Sequence, residues 1–213
     1  MVRNLLYVLI GAFSVALFAP TERPPVADEG VAIAVVLDTS GSMAEGGRLD
    51  EAREALAALA SALGPNDRLG LITFNREATV LVAPSRPSVP SLTALLSAVE
   101  PAGPTNLHAG LLQGHAQLMA LRGPRRVVVI SDGAANTGVV DEGALLRCAG
   151  ALTSEGIEVS VLGLGEQDRD RLRTLGRVGR GGFAPSDGVL RERLLDQLTD
   201  LRGAPVRLAR AGL

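Results

Sequence analysis

The chain has 213 residues, room for one domain of ordinary size with short extras. Hydrophobic residues make up 46% of it and aromatic residues only 2%, so its core must be built from Leu, Val, Ile and Ala, as suits a helix-covered sheet. A formal net charge of -2 argues against nucleic acid as a partner, and the single Cys148 excludes both an intramolecular disulfide and a thiolate zinc site.

Arg3 precedes an uncharged apolar run, Leu5 to Ala19, which is followed by the polar exit TERPPVADEG. That order reads as an export signal, and the run is shorter than the ~20 residues a spanning helix needs. Ser14-Val15-Ala16 offers a small-x-small cleavage site, and an uncleaved anchor is the alternative. Residues 1–20 are therefore expected to be a signal peptide or N-terminal membrane anchor, and 21–30 a linker. The chain is expected to be exported, periplasmic or otherwise extracytoplasmic, touching a membrane only through this segment.

Beyond the linker, apolar strands alternate with amphipathic helices. Val31–Leu37 is a continuous apolar run, as expected of a central parallel strand buried on both faces. Leu49, Ala52, Leu56, Leu59 and Leu63 recur at helical spacing, and Gly64-Pro65-Asn66-Asp67 stops that helix. Arg68–Phe74 reads as the second strand. Ala78–Ala83 follows after a gap too short for a crossover helix, so it is expected antiparallel, at a sheet edge. Val89–Val99 and Leu107–Leu121 are predicted helices, Arg126–Ser131 a strand, Asp141–Glu155 a helix and Glu158–Leu164 a strand. Asp168–Val178 is a predicted helix, Gly182–Ala184 a short strand, and Leu190, Leu194, Leu198 and Leu201 the stripe of a last helix. The fold class implied is α/β: a doubly wound, mostly parallel six-stranded sheet with one antiparallel edge strand and helices on both faces. The domain is expected over 31–201, with a short tail at 202–213.

Ligands of such sheets bind beyond the carboxyl ends of the strands, near the point where strand order reverses. The first strand ends in Asp38-Thr39-Ser40-Gly41-Ser42, the fourth in Ser131-Asp132-Gly133, and Gly103-Pro104-Thr105-Asn106 leads into the intervening helix. Two carboxylates and three hydroxyls are hard oxygen donors, suited to Mg²⁺, Mn²⁺ or Ca²⁺. Spacing of the D-x-S-x-S kind lets a tight turn aim alternate side chains at one point.

On these residues the chain resembles the von Willebrand factor A domains that carry a metal-ion-dependent adhesion site, and within them the bacterial secreted or membrane-tethered members. The likeness rests on Asp38-Thr39-Ser40-Gly41-Ser42-Met43, Pro104-Thr105-Asn106-Leu107 and Ser131-Asp132-Gly133, and extends through Val161-Leu162-Gly163-Leu164-Gly165. It implies Ser40 and Ser42 as direct metal ligands and Thr105 as a direct or water-bridged one. Asp38 and Asp132 would bind mainly through water while fixing the hydroxyls. It also implies a non-catalytic function, in which an ion, most simply Mg²⁺, docks an Asp or Glu of another protein.

Two other readings stand beside it. A strand-end Asp beside Mg²⁺ can accept a phosphoryl group, but such sites carry a second Asp two residues on, where this chain has Ser40. No G-x-x-x-x-G-K-[ST] loop and no G-x-S-x-G elbow occurs. The third reading is a structural domain whose metal site is functionally silent. His108 and His115 read as ordinary helix residues, Cys148 as a buried small hydrophobe, and Gly163 and Gly165 as turn residues. Asn136 and Gly138 are expected to shape the loop after Asp132 without touching a ligand. Arg122, Arg125 and Arg126 are expected at a solvated strand entrance.

Overall fold

A computed structural model describes residues 30–133 and 135–203. The expected signal or anchor, nearly all of the linker and most of the tail lie outside the described residues. Among those described, no helix is long and apolar enough to cross a membrane.

Six strands form one sheet: β1 (Ala32–Asp38), β2 (Arg68–Phe74), β3 (Ala78–Ser85), β4 (Arg125–Ser131), β5 (Ile157–Gly163) and β6 (Arg180–Pro185). Their spatial order is β3-β2-β1-β4-β5-β6. All neighbours are parallel except β2 and β3, whose short connection permits only an antiparallel hairpin. The helices are α1 (Arg48–Ala62), α2 (Val89–Ser97), α3 (Leu107–Leu118), α4 (Glu142–Ser154), α5 (Arg169–Val178) and α6 (Leu190–Leu201). This is the doubly wound architecture the sequence implies.

The period-two geometry of β1 splits its side chains between two cores. Val31, Ile33, Val35 and Leu37 join the stripes of α1, α2 and α6, while Ala32, Ala34 and Val36 join those of α3, α4 and α5. Val31 and every one of these β1 side chains are buried, which is why the segment reads as an unbroken apolar run. On α3 the sequence is small where the strand is closest. A Cβ on Gly110 would lie 2.7 Å from Val36, and one on Gly114 would lie 3.1 Å from Val36 and Val127. These glycines let the first two turns of α3 sit hard against the centre of the sheet.

Differences from the sequence expectation are local. The last strand spans Arg180–Pro185, six residues where three were expected. Its glycines hide the strand pattern, and they are needed for contact: a Cβ on Gly181 would fall 2.1 Å from the Ser160 hydroxyl of β5. The third strand runs to Ser85, with irregular pairing to β2. Helix α3 ends at Leu118, three residues short of the expected Leu121.

One charged residue departs from its expected solvated position. Arg122 is exposed as expected, but Arg126 is buried, its β-strand position pointing it into the α6 side of the sheet. Its guanidinium donates to Glu158 Oε2 (2.9 Å from Nε) and to Gln197 Oε1 (2.9 Å from Nη1). A strand entrance does not solvate a residue whose alternation points inward, and here a cross-strand carboxylate and a helix amide satisfy it. Arg125 is half-buried and donates to the carbonyl of Glu155 at 2.6 Å. Cys148 is also only half-buried, at the margin of the α3–α5 core.

Candidate functional site

The strand order reverses around β1, which sends one connection towards β2 and is flanked on its other side by β4. Chain leaving the C-terminal ends of β1 and β4 therefore diverges and opens a crevice. Asp38 is the last residue of β1 and is fully buried. Its Oδ1 accepts the backbone N–H of Ser40 at 2.8 Å, and its Oδ2 accepts the hydroxyl of Ser131 at 2.6 Å. Among the described residues no basic side chain pairs with it. Burial consequently raises its pKa from 3.8 to about 6, against the lowering effect of the Ser131 and Ser40 hydrogen bonds, while the nearby Asp132 charge pushes the same way as burial.

From Asp38 a string of oxygens runs to the second strand end. The hydroxyls of Ser40 and Ser42 are 3.2 Å apart, and Ser42 donates to Asp132 Oδ1 at 2.9 Å. A 3-10 turn over Gly41–Gly47 produces this approach, with Met43 fully buried as its anchor. Gly46 and Gly47 then take φ of +60° and +72°, the left-handed region that favours glycine, and turn the chain into α1.

The loop that carries Thr105 is stitched to the same edge by backbone hydrogen bonds. Ala102 N–H donates to Thr39 O at 2.8 Å, and Gly41 N–H to Gly103 O at 3.0 Å. Thr105 is buried. Its N–H donates to the Asn136 side chain at 2.8 Å, and its carbonyl accepts from Asn136 N–H at 3.0 Å. Asn136, expected only to shape its loop, thus clamps the β4 loop to the Thr105 loop. All five residues singled out by sequence lie at one edge. Asp38, Ser40, Ser42 and Asp132 form a continuous hydrogen-bonded chain, and Thr105 is joined to it through the backbone.

Two residues of this edge have roles that the sequence reading does not assign. Ser131 is fully buried and its hydroxyl fixes the Asp38 carboxylate. The signal was available, since a hydroxyl ending an otherwise aliphatic strand directly before Asp132 needs a polar partner. Arg48 is the other. Its Nη1 donates to Asp132 Oδ2 at 2.6 Å and to the carbonyl of Ser42 at 3.2 Å. Nothing in a lone Arg at a helix start points to that contact.

The donor set fits a hard divalent cation. Among the described residues no cluster of three His, Cys, Asp or Glu side chains forms, so an ion here would rest on two carboxylates and several hydroxyls. His115 is held elsewhere: its Nε2 lies 2.7 Å from Glu155, the residue that follows α4. The buried and unpaired charge of Asp38 is the feature that a cation would relieve.

Residues 33–134 match the family model of the von Willebrand factor type A domain. The inter-alpha-trypsin inhibitor heavy chain H3 of Homo sapiens is 30% identical over 142 residues, 61% of this chain but only 16% of the human one. The solved von Willebrand factor type A structure from Catenulispora acidiphila superposes with a TM-score of 0.71 at 17% identity, covering 83% of this chain and 43% of that one. Proximal thread matrix protein 1 of the mussel byssus, solved with a zinc-occupied MIDAS motif, gives a TM-score of 0.63 at 18% identity over 78% of this chain and 46% of that one. At such identities the two structures speak for the fold alone.

Proposed function

We propose that this chain, whose residues 33–134 match the von Willebrand factor type A model, binds a divalent cation at the C-terminal edge of its sheet and uses it to hold an acidic side chain of another protein. The observation that carries the proposal is Asp38, a fully buried carboxylate with no basic partner among the described residues, linked through Ser40 and Ser42 to a second carboxylate at Asp132.

Each residue has a distinct part in this reading. Asp38 has both oxygens occupied, by Ser40 N–H and by the Ser131 hydroxyl, so it serves as an anchoring charge that orients the Ser40 turn. Ser40 and Ser42 present neutral oxygens, and Thr105 a third from the neighbouring loop. Asp132 holds Ser42 in place. A cation bound there would supply a Lewis-acidic position open to a partner's carboxylate. Hydroxyls neutralise no charge, so the ion would keep much of its own and favour an anionic ligand. The ion we assign is Mg²⁺, with Mn²⁺ or Ca²⁺ as chemically similar substitutes.

The role is non-catalytic. A phosphoryl-accepting Asp38 would need an exposed, unencumbered oxygen, and neither of its oxygens is free. The domain is assigned to residues 31–201, and the N-terminal segment would deliver it outside the cytoplasm. The test is capture of extracytoplasmic proteins on the purified chain in Mg²⁺, in Zn²⁺, in EDTA, and as Ser40→Ala/Ser42→Ala in Mg²⁺. A partner retained only by the wild-type chain with Mg²⁺, and lost again when its own acidic residue is neutralised, is the expected result. Identical capture in all arms would return the site to a silent, structural role.

A further inference from the structure

The Asp132 carboxylate already has a cation. Its side chain is 2% exposed, its Oδ1 is taken by Ser42, and its Oδ2 accepts from Arg48 Nη1 at 2.6 Å. Arg48 is the first residue of α1, and the same nitrogen also donates to Ser42 O. A Cβ on Gly165, in the loop after β5, would lie 3.0 Å from Arg48 Nη2. The guanidinium therefore bridges the loops after β1 and β4 and packs beside the loop after β5. It stands directly beside the string of oxygens described above.

We propose that Arg48 is a resident cation which a divalent ion must displace from Asp132, so that Arg48 sets the threshold of metal occupancy. The inference rests on the metal reading of this edge and adds a regulator to it. Two positive groups cannot both be held by one buried carboxylate without strong repulsion, so their binding is mutually antagonistic. A vacated guanidinium has somewhere to go. Glu45 Oε2 is 3.8 Å from Nη1, and its side chain is 74% exposed. A Cβ on Gly46 or Gly47, the glycine pair ahead of Arg48, would meet nothing within 4 Å. Arg48 thus has a buried counter-charge, Asp132, and an exposed one, Glu45, within one swing of its side chain. The metal-free edge is latched by Arg48 on Asp132. In the loaded edge Asp132 is released to the ion, and the guanidinium moves towards Glu45.

A role as a simple staple between α1 and the β4 loop predicts the opposite response to removal. Mn²⁺ would be titrated calorimetrically into the full chain as wild type, as Arg48→Gln, and as Arg48→Gln/Ser40→Ala/Ser42→Ala, with circular dichroism confirming the fold of each. The glutamine retains most of the stem and removes only the charge. Mn²⁺ binding at least about fivefold tighter in Arg48→Gln than in wild type is expected, with no uptake by the triple variant. Equal or weaker binding by Arg48→Gln would overturn the latch while leaving the metal site standing. No uptake by either wild type or Arg48→Gln would remove the metal site and the latch together.

Discussion

The two ends of the sheet each bury an aspartate, and the chain treats them in opposite ways. At the end where β1 begins, Asp67 accepts from Val31 N–H at 3.0 Å and from Gly64 N–H at 2.7 Å, and it is paired with Arg202 just after α6. Burial works to raise its pKa, but the Arg202 hydrogen bond and the two backbone donors outweigh burial and lower it. At the end where β1 finishes, Asp38 has comparable hydrogen bonds and, among the described residues, no guanidinium, and burial raises its pKa to about 6. The fold has arginines to spare, for it uses one on Asp67 and another on Asp132. A buried charge that is balanced internally is a structural clasp, joining the start of β1 to the end of α6. A buried charge left unbalanced at a crevice is a place prepared for something else.

Removing each charge separates these two meanings. Asp67→Ala should cost the most, about 4 kcal/mol, because it strands the buried Val31 N–H and the Arg202 guanidinium together. For a domain of this size the melting temperature should fall by about 12 °C, with Mn²⁺ affinity unchanged. Loss of metal binding in that variant would mean that the two ends are coupled, and the comparison would break. The next effect is a pH dependence belonging to Asp38 alone. Its folded pKa lies above its unfolded value of 3.8, so between about pH 4 and pH 6 the native state holds more protons than the unfolded chain. Its contribution is therefore full below pH 4 and is lost as pH rises through 6, by up to about 3 kcal/mol in EDTA. Thermal unfolding in EDTA and in saturating Mg²⁺ should diverge across that window, the metal series staying level as the EDTA series declines. Parallel curves would show that the ion does not relieve Asp38.

Much of this was legible in the sequence, for physical reasons that differ by region. The apolar run ending at Asp38 and the helical stripe from Leu49 to Leu63 are periodic signals, and periodicity transmits directly into burial. The edge assignment of β3 followed from the three residues that separate it from β2, too few to cross over. Asp38, Ser40, Ser42, Thr105 and Asp132 could be assigned together because the fold class dictates which loops share an edge. Arg126 and Arg48 were opaque for one shared reason. A charged side chain carries no periodic mark of its partner, and Arg126 meets Glu158 and Gln197, and Arg48 meets Asp132, only after α6, β5 and β4 are in place. Gly181 belongs with them, since its need for close approach to Ser160 exists only once β5 and β6 are paired.

Asp38→Asn has a small effect, and its sign is the informative part. An amide there keeps an acceptor for Ser40 N–H and can donate to the Ser131 hydroxyl, so the hydrogen bonds of the turn survive. What disappears is a desolvated charge and its repulsion with Asp132. In EDTA at pH 7.5 the variant should therefore be more stable than wild type by about 1 kcal/mol, a rise of roughly 3 °C in melting temperature. The stabilisation that Mg²⁺ gives the wild-type chain should be absent in the variant. Were Asp38 only a structural acceptor like Asp67, the same substitution would lower the melting temperature in EDTA. The two ends of the sheet thus predict opposite signs for the loss of one carboxylate, and a single pair of melting curves decides whether Asp38 is held ready for a cation or merely tolerated.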